Sequence, residues 1–215
     1  MNGGDPIRLA VLISGGGTTL LNLAARIASG ELDARSGVAV ASSSRATGVA
    51  RAAAAGVGVR VEERRAGESA ADYGQRVFEH CRAAGADLVC LAGWLNRLAV
   101  PKDFAGRVMN IHPALLPAFG GEGMYGRRVH EAVLRHGCKV SGCTVHFVDD
   151  EYDNGPIILQ RCCAVEEGDT PESLAARVFE QEKLAYPEAI RLYAQGRLRV
   201  EGRVVRVAQA ARGRE

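Results

Sequence analysis

Asn110-Ile111-His112-Pro113-Ala114-Leu115-Leu116-Pro117 sets an amide and an imidazole two residues apart, and Asp153-Asn154-Gly155-Pro156 follows with a carboxylate. Residues two apart in an extended segment point to the same side, so Asn110 and His112 can share one cleft while Ile111 packs inward. An amide N–H and an imidazolium N–H aimed at one oxygen suit acyl transfer between nitrogens, because that oxygen gains negative charge as the amine attacks. Asp153 facing His112 would keep the imidazole cationic near neutral pH and fix its orientation. Each piece alone also has an ordinary explanation. Asn110 can cap a turn, His112 can be a satisfied, partly buried histidine, and Asp-Asn-Gly-Pro is common turn chemistry.

Ser14-Gly15-Gly16-Gly17-Thr18-Thr19 lies between an apolar run and an amphipathic one. Free N–H groups at such a strand-to-helix turn favour a phosphate, and Thr18 and Thr19 add hydroxyl donors. The dinucleotide fingerprint fails because Leu20 stands where its third Gly belongs, and the P-loop pattern fails for want of a Lys. Ser42-Ser43-Ser44-Arg45 at the end of the next strand offers no acid for a ribose diol. A monophosphate therefore fits better than NAD or ATP, and a glycine-rich turn without any ligand is the alternative. No two histidines have HxxxH or HxH spacing and the acids do not follow an EF-hand order, so no metal is expected. His80, His130, His136 and His146 have no evident partners and are expected in surface or structural roles. Trp94 suits either a pocket for a flat ring or the edge of the core.

These groups need a scaffold, and apolar runs alternating with Ala-rich amphipathic segments provide one. Strands are expected at Leu9–Ile13, Gly37–Ala41, Val57–Val61, Asp87–Ala92 and Arg107–Ile111. Helices are expected at Thr19–Ala28, Ala46–Ala55 and Ala70–Ala83. This rhythm implies right-handed crossovers and a parallel sheet, with Asn110 and His112 where a strand ends and Pro113 and Pro117 prevent its continuation. A helix over Arg127–His136 precedes strands at Gly142–Val148 and Pro156–Ala164, expected to add to the sheet antiparallel. Pro171 in the first turn opens a helix running towards Tyr193, and Arg197–Val200 with Val204–Val207 suits a hairpin.

The 215 residues, 47% hydrophobic, suffice for one sizeable core, so a single domain over 1–215 is expected. Its halves are about 8–105 and 106–200, and the tail 208–215 is expected to be flexible. Interspersed charges, 27 basic and 25 acidic, give no footprint for nucleic acid or membrane. Six cysteines without a CxxC pair read as buried or incidental thiols. The start lacks signal-peptide order, and a soluble cytoplasmic protein is expected, as monomer or homodimer.

Taken in order, Leu12-Ile13-Ser14-Gly15-Gly16-Gly17, Leu91-Ala92-Gly93-Trp94, the 110–117 run, Val145-His146-Phe147-Val148 and Asp153-Asn154-Gly155-Pro156 closely resemble the glycinamide ribonucleotide formyltransferases, folate-dependent enzymes of purine synthesis. The resemblance runs from about Arg8 to about Leu198. It implies an α/β, Rossmann-like formyltransferase fold, with a mostly parallel central sheet, helices on both faces and an antiparallel C-terminal extension. It makes Asn110, His112 and Asp153 the catalytic trio, with Gly17, Thr18 and Thr19 holding the ribonucleotide phosphate. Glu182 would contact the glycinamide end of that substrate. Leu95, Asn96, Arg97 and Leu98, with Asn110 and the backbone of Val148, Asp149 and Asp150, would line the pocket for 10-formyltetrahydrofolate. Three positions depart from the family pattern. Thr19 and Asn96 stand where many members have Asn and Arg, and Ala70 where an Arg is often found. The related hydrolase normally carries an N-terminal regulatory domain and the related tRNA formyltransferase a C-terminal RNA-binding domain, so chain length favours the glycinamide ribonucleotide enzyme. A nucleotide-sensing module using the phosphate turn without catalysis is the non-enzymatic alternative.

Overall fold

The computed structural model describes residues 5–209; the remainder of the expected flexible tail, 210–215, lies outside the described residues. A nine-stranded sheet runs through the molecule in the order β3-β2-β1-β4-β5-β6-β7-β9-β8. The parallel part comprises β1 (Ile7–Ile13), β2 (Ala34–Ala41), β3 (Val59–Val61), β4 (Leu88–Leu91) and β5 (Val108–His112). The chain then reverses, as expected. β6 (Val140–Phe147) runs antiparallel to β5, and β7 (Ile157–Ala164) antiparallel to β6. The hairpin of β8 (Leu198–Glu201) and β9 (Val204–Val207) docks on the edge of β7 through the pair Ile157 and Val204. The docking is not apparent from the hairpin's own sequence.

Strand β1 is apolar at successive positions because both faces of the sheet are covered. Leu9, Val11 and Ile13 face a core built with α1 (Thr18–Ala28), α2 (Gly48–Ala54), α4 (Arg127–Arg135) and α5 (Pro171–Ala194). Ala10 and Leu12 face the other core, where α3 (Ala70–Ala83) contributes Tyr73, Val77, Phe78 and Cys81. Strand β2 begins three residues earlier than the apolar run suggests. Its pairing with β1 steps from Ser36 to Val38 across Gly37, a bulge that breaks the period-two pattern.

Capping explains where α3 and α5 start. The Ser69 hydroxyl accepts from Asp72 N at 3.0 Å to open α3, and Thr170 and Ser173 form a reciprocal capping box ahead of Pro171. Pro187 lies inside α5 and has no N–H for the carbonyl of Lys183, four residues back. Asn22 of α1 meets that carbonyl instead, its Nδ2 donating to Lys183 O at 3.2 Å. Two helices are thereby joined one residue from Glu182.

Candidate active site

The C-terminal ends of β1, β2 and β4 converge on Ser14. Its Oγ accepts from Leu95 N at 3.0 Å and from Ser42 Oγ at 2.8 Å, and its own N donates to Gly93 O at 3.1 Å. The following turn enters α1 through Gly17, whose φ of 66° is a left-handed conformation that favours glycine. No side chain caps this helix, so its first N–H groups remain directed at the cavity lined by Gly15–Thr19. Two neighbours from α2 brace the turn. Arg51 donates to Gly16 O at 2.7 Å, and Gly48 N donates to Gly15 O at 3.0 Å. A Cβ on Gly48 would lie 2.7 Å from Gly15 O, so α2 can approach only because that residue is glycine.

Strand β5 carries Asn110 and His112 towards the same cleft, as their spacing implied. Asp153 reaches them from the turn after β6. Its Oδ2 lies 3.3 Å from His112 Nδ1 and accepts from Gly121 N at 3.0 Å, while its Oδ1 accepts from Asn110 Nδ2 at 3.2 Å. Phe119 O lies 2.8 Å from His112 Nε2, so both ring nitrogens of His112 face acceptors. That arrangement favours the doubly protonated ring. Burial works against it and pulls the His112 pKa below its ordinary value, although Asp153 and the Phe119 carbonyl push upward. Burial also acts to raise the Asp153 carboxyl. The neighbouring His146 and His112 rings and the Gly121 N–H outweigh that effect and hold it below the usual range. Phe119 and Asp153, with φ of 56° and 51°, are non-glycine residues in the left-handed region, and both make polar contacts with His112.

Two cavities meet at this cluster. The larger, about 630 Å³, is lined by Gly15–Thr19, Ala92–Leu95, Asn110–Pro113, Gly121–Gly126 and Glu182, among others. The smaller, about 70 Å³, lies among Asn96–Leu98, His146 and Val148–Asp153. Trp94, Asn110, Tyr152 and Asp153 line both. Two reactants can therefore reach one polar centre from separate sides.

Residues 7–190 match the family model described as formyl transferase. The chain is 43% identical to glycinamide ribonucleotide transformylase 1 from Symbiobacterium toebii, whose crystal structure superposes with a TM-score of 0.88 over 96% of each chain. It is 37% identical to the chloroplastic phosphoribosylglycinamide formyltransferase of Arabidopsis thaliana, over 89% of this chain and 67% of that protein. It is also 37% identical to the trifunctional purine biosynthetic protein adenosine-3 of Gallus gallus, over 91% of this chain but only 19% of that longer protein. The chain belongs to the formyl transferase family.

In this formyl transferase, the turn residues Gly17, Thr18 and Thr19 share the larger cavity with Glu182, reached from α5. Burial raises the Glu182 carboxyl to about 7. Leu95 departs from its neighbours: it is exposed and lines the larger cavity, whereas Asn96, Arg97, Leu98, Val148, Asp149 and Asp150 line the smaller one. Arg97 lies over this slot, donating to Asp150 O at 3.0 Å, and Arg64 acts electrostatically on the same Tyr152 ring as Arg97. Ala70 begins α3.

Two histidines expected in surface or structural roles line the cleft. His146 is 2% exposed, sits opposite Asn110 in the β5–β6 ladder, and its Nε2 lies 3.1 Å from Asn110 Nδ2. Its Nδ1 lies 2.7 Å from Phe147 O, so in the neutral ring Nδ1 carries the hydrogen and Nε2 accepts, a tautomer assigned from these contacts. His130 of α4 lines the larger cavity, and burial followed by the His112 charge pulls its pKa down. Strand register brings in His146 and helix packing brings in His130. The available signal was a polar residue, His146, within the otherwise apolar Val145–Val148 run. The other two fit the expectation. His80 faces Glu62 at 2.8 Å, and His136 Nδ1 contacts Ala132 O at 2.9 Å within its own helix.

Proposed function

We propose that this chain transfers the formyl group from N10 of 10-formyltetrahydrofolate to the primary amine of glycinamide ribonucleotide, a step of de novo purine biosynthesis. The position of Asn110 and Asp153 on the wall common to two cavities carries this reading. One cavity offers an anion-binding turn and a carboxylate for a phosphorylated amine. The other offers an apolar slot with backbone polar groups and Arg97 for the formyl donor. The smaller cavity must widen to admit a bicyclic ring, and the exposed segment around Glu151 and Tyr152 is the part of its wall able to yield.

In this mechanism the neutral amine of the ribonucleotide attacks the formyl carbon and a C–N bond forms as the carbonyl electron pair moves to oxygen. The oxygen shares the His112 Nε2 hydrogen with Phe119 O and takes one Asn110 Nδ2 hydrogen from His146. Both donors are satisfied by internal acceptors in the free chain, which avoids the roughly 1–3 kcal/mol of leaving each buried and unpaired. These pre-aligned donors stabilise the oxyanion more than the planar formyl group. Asp153 holds His112 and relays the proton released by the attacking nitrogen to N10, directly or through one water. The C–N10 bond then breaks, leaving formylglycinamide ribonucleotide and tetrahydrofolate. No covalent enzyme intermediate is needed.

Loss of the formyl donor, followed with and without glycinamide ribonucleotide, tests the function. Consumption that requires the amine is the expected result. Consumption without it would make the chain a hydrolase, and none with either mixture would leave only a binding role.

A further inference from the structure

Thr144 lies opposite His112 across the β5–β6 ladder, and Gln160 lies opposite Thr144 across β6–β7. The three residues form a row over adjacent strands. Thr144 is completely buried and its hydroxyl makes three hydrogen bonds. It donates to Ala114 O at 2.7 Å and accepts from Leu116 N at 3.0 Å and from Gln160 Nε2 at 2.9 Å. Gln160 Nε2 also donates to Leu116 O at 2.9 Å. The segment leaving His112 is thus held at two alternate residues, Ala114 and Leu116. Three residues beyond Leu116, the Phe119 carbonyl meets His112 Nε2, and the Phe119 ring packs edge-on against His136 with centroids 5.2 Å apart.

We infer that Thr144, supported by Gln160, is a positioning residue for the proposed formyl transfer: it fixes the 113–119 segment so that Phe119 O holds His112 in place. The chemistry requires a donor at His112 Nε2 in one orientation. At Nε2 the Phe119 carbonyl, which lies in a loop, provides that constraint, and a loop carbonyl is as fixed as its anchors. A hydroxyl is suited to this anchor because it donates to one carbonyl and accepts from one amide at the same point, which neither a methyl group nor a carboxylate can do. Hydrogen bonding to the cationic ring also favours its protonated form. Asp153 from the turn after β6, His146 from β6 and His130 from α4 are the other titratable groups around His112, and none touches the Thr144 hydroxyl.

This inference rests on the proposed role of His112 in transfer, and the test separates the two. Full-length Thr144→Val, Thr144→Ser and Gln160→Met are compared with wild type by NMR titration of the His112 imidazole, steady-state turnover and thermal unfolding. Thr144→Val is expected to lower the His112 midpoint by about half a unit or more and kcat by about tenfold, with little change in either KM. Thr144→Ser is expected to restore both. Gln160→Met gives a smaller shift in the same direction and serves if Thr144→Val does not fold. Reduced thermal stability with an unmoved His112 titration in these variants would overturn the positioning role. A shifted titration with unchanged transfer would leave that role standing and remove His112 from the chemistry.

Discussion

Asp153 Oδ2 lies 3.3 Å from His112 Nδ1, although the two residues are forty-one positions apart and occupy different elements. The same carboxylate takes Asn110 through its other oxygen and Gly121 N through this one, so one side chain sets the geometry of the whole cluster.

Asp153→Asn keeps the shape but removes the charge that opposes the burial penalty on His112. The His112 pKa is expected to fall further below its ordinary value, and kcat to drop by about 10²–10⁴-fold. NMR titration of the imidazole and single-turnover kinetics check both. The wild-type Asp153 carboxyl is held low, so its contribution to stability is present above the unfolded carboxylate range and is lost as pH falls through the folded value. The Asn variant is expected to lack that acid-side loss in thermal unfolding.

Glu182 has the opposite sign. Its folded value, about 7, lies above that of an unfolded glutamate, so its contribution is complete at acid pH and is lost as pH rises from about 4.5 through 7. Glu182→Gln is expected to match wild-type stability near pH 4 and exceed it by about 1–3 kcal/mol at pH 8. The same change should weaken binding of the amine substrate. Denaturant unfolding across pH, with calorimetric titration of glycinamide ribonucleotide, reads the two effects separately.

Gly48 touches the Gly15–Gly17 turn from α2. Gly48→Ala pushes a methyl group against Gly15 O and the Ile13 side chain, both 2.7 Å from the built Cβ. Ribonucleotide KM is expected to rise by about tenfold or more, while donor KM stays near wild type, because the distortion lies on one side of the cleft. Steady-state kinetics with each substrate varied in turn provide the check.

Arg97 is the cation over the smaller cavity. Arg97→Ala removes its hydrogen bond to Asp150 O together with a positive charge at the slot, and is expected to cost about 1–3 kcal/mol of donor binding. Donor KM should rise, more steeply for polyglutamylated donors, with kcat little affected. An unchanged donor KM would mean that another group supplies this charge.

Much of the scaffold can be read along the chain because its signals are local. The apolar runs of β1 and β4, the Ser69 and Thr170 caps and the glycine at position 17 act within a few residues. The bulge at Gly37 hid the start of β2 because it interrupts the pattern that marks a strand. Pro187 within α5 is tolerated through a distant partner, Asn22, which a local rule does not see.

Residue types and their order determined the family resemblance, and the two-residue spacing of Asn110 and His112 determined that both can face one cleft. Tertiary structure decided which groups join them. His146 enters because β6 pairs with β5 in one register, His130 because α4 packs over the cleft, and Thr144 and Gln160 because three strands align His112 in a row. Register and packing depend on the burial of whole faces and on contacts between residues far apart in sequence. A histidine in an apolar run therefore carries no mark, in one dimension, of the amide it will meet.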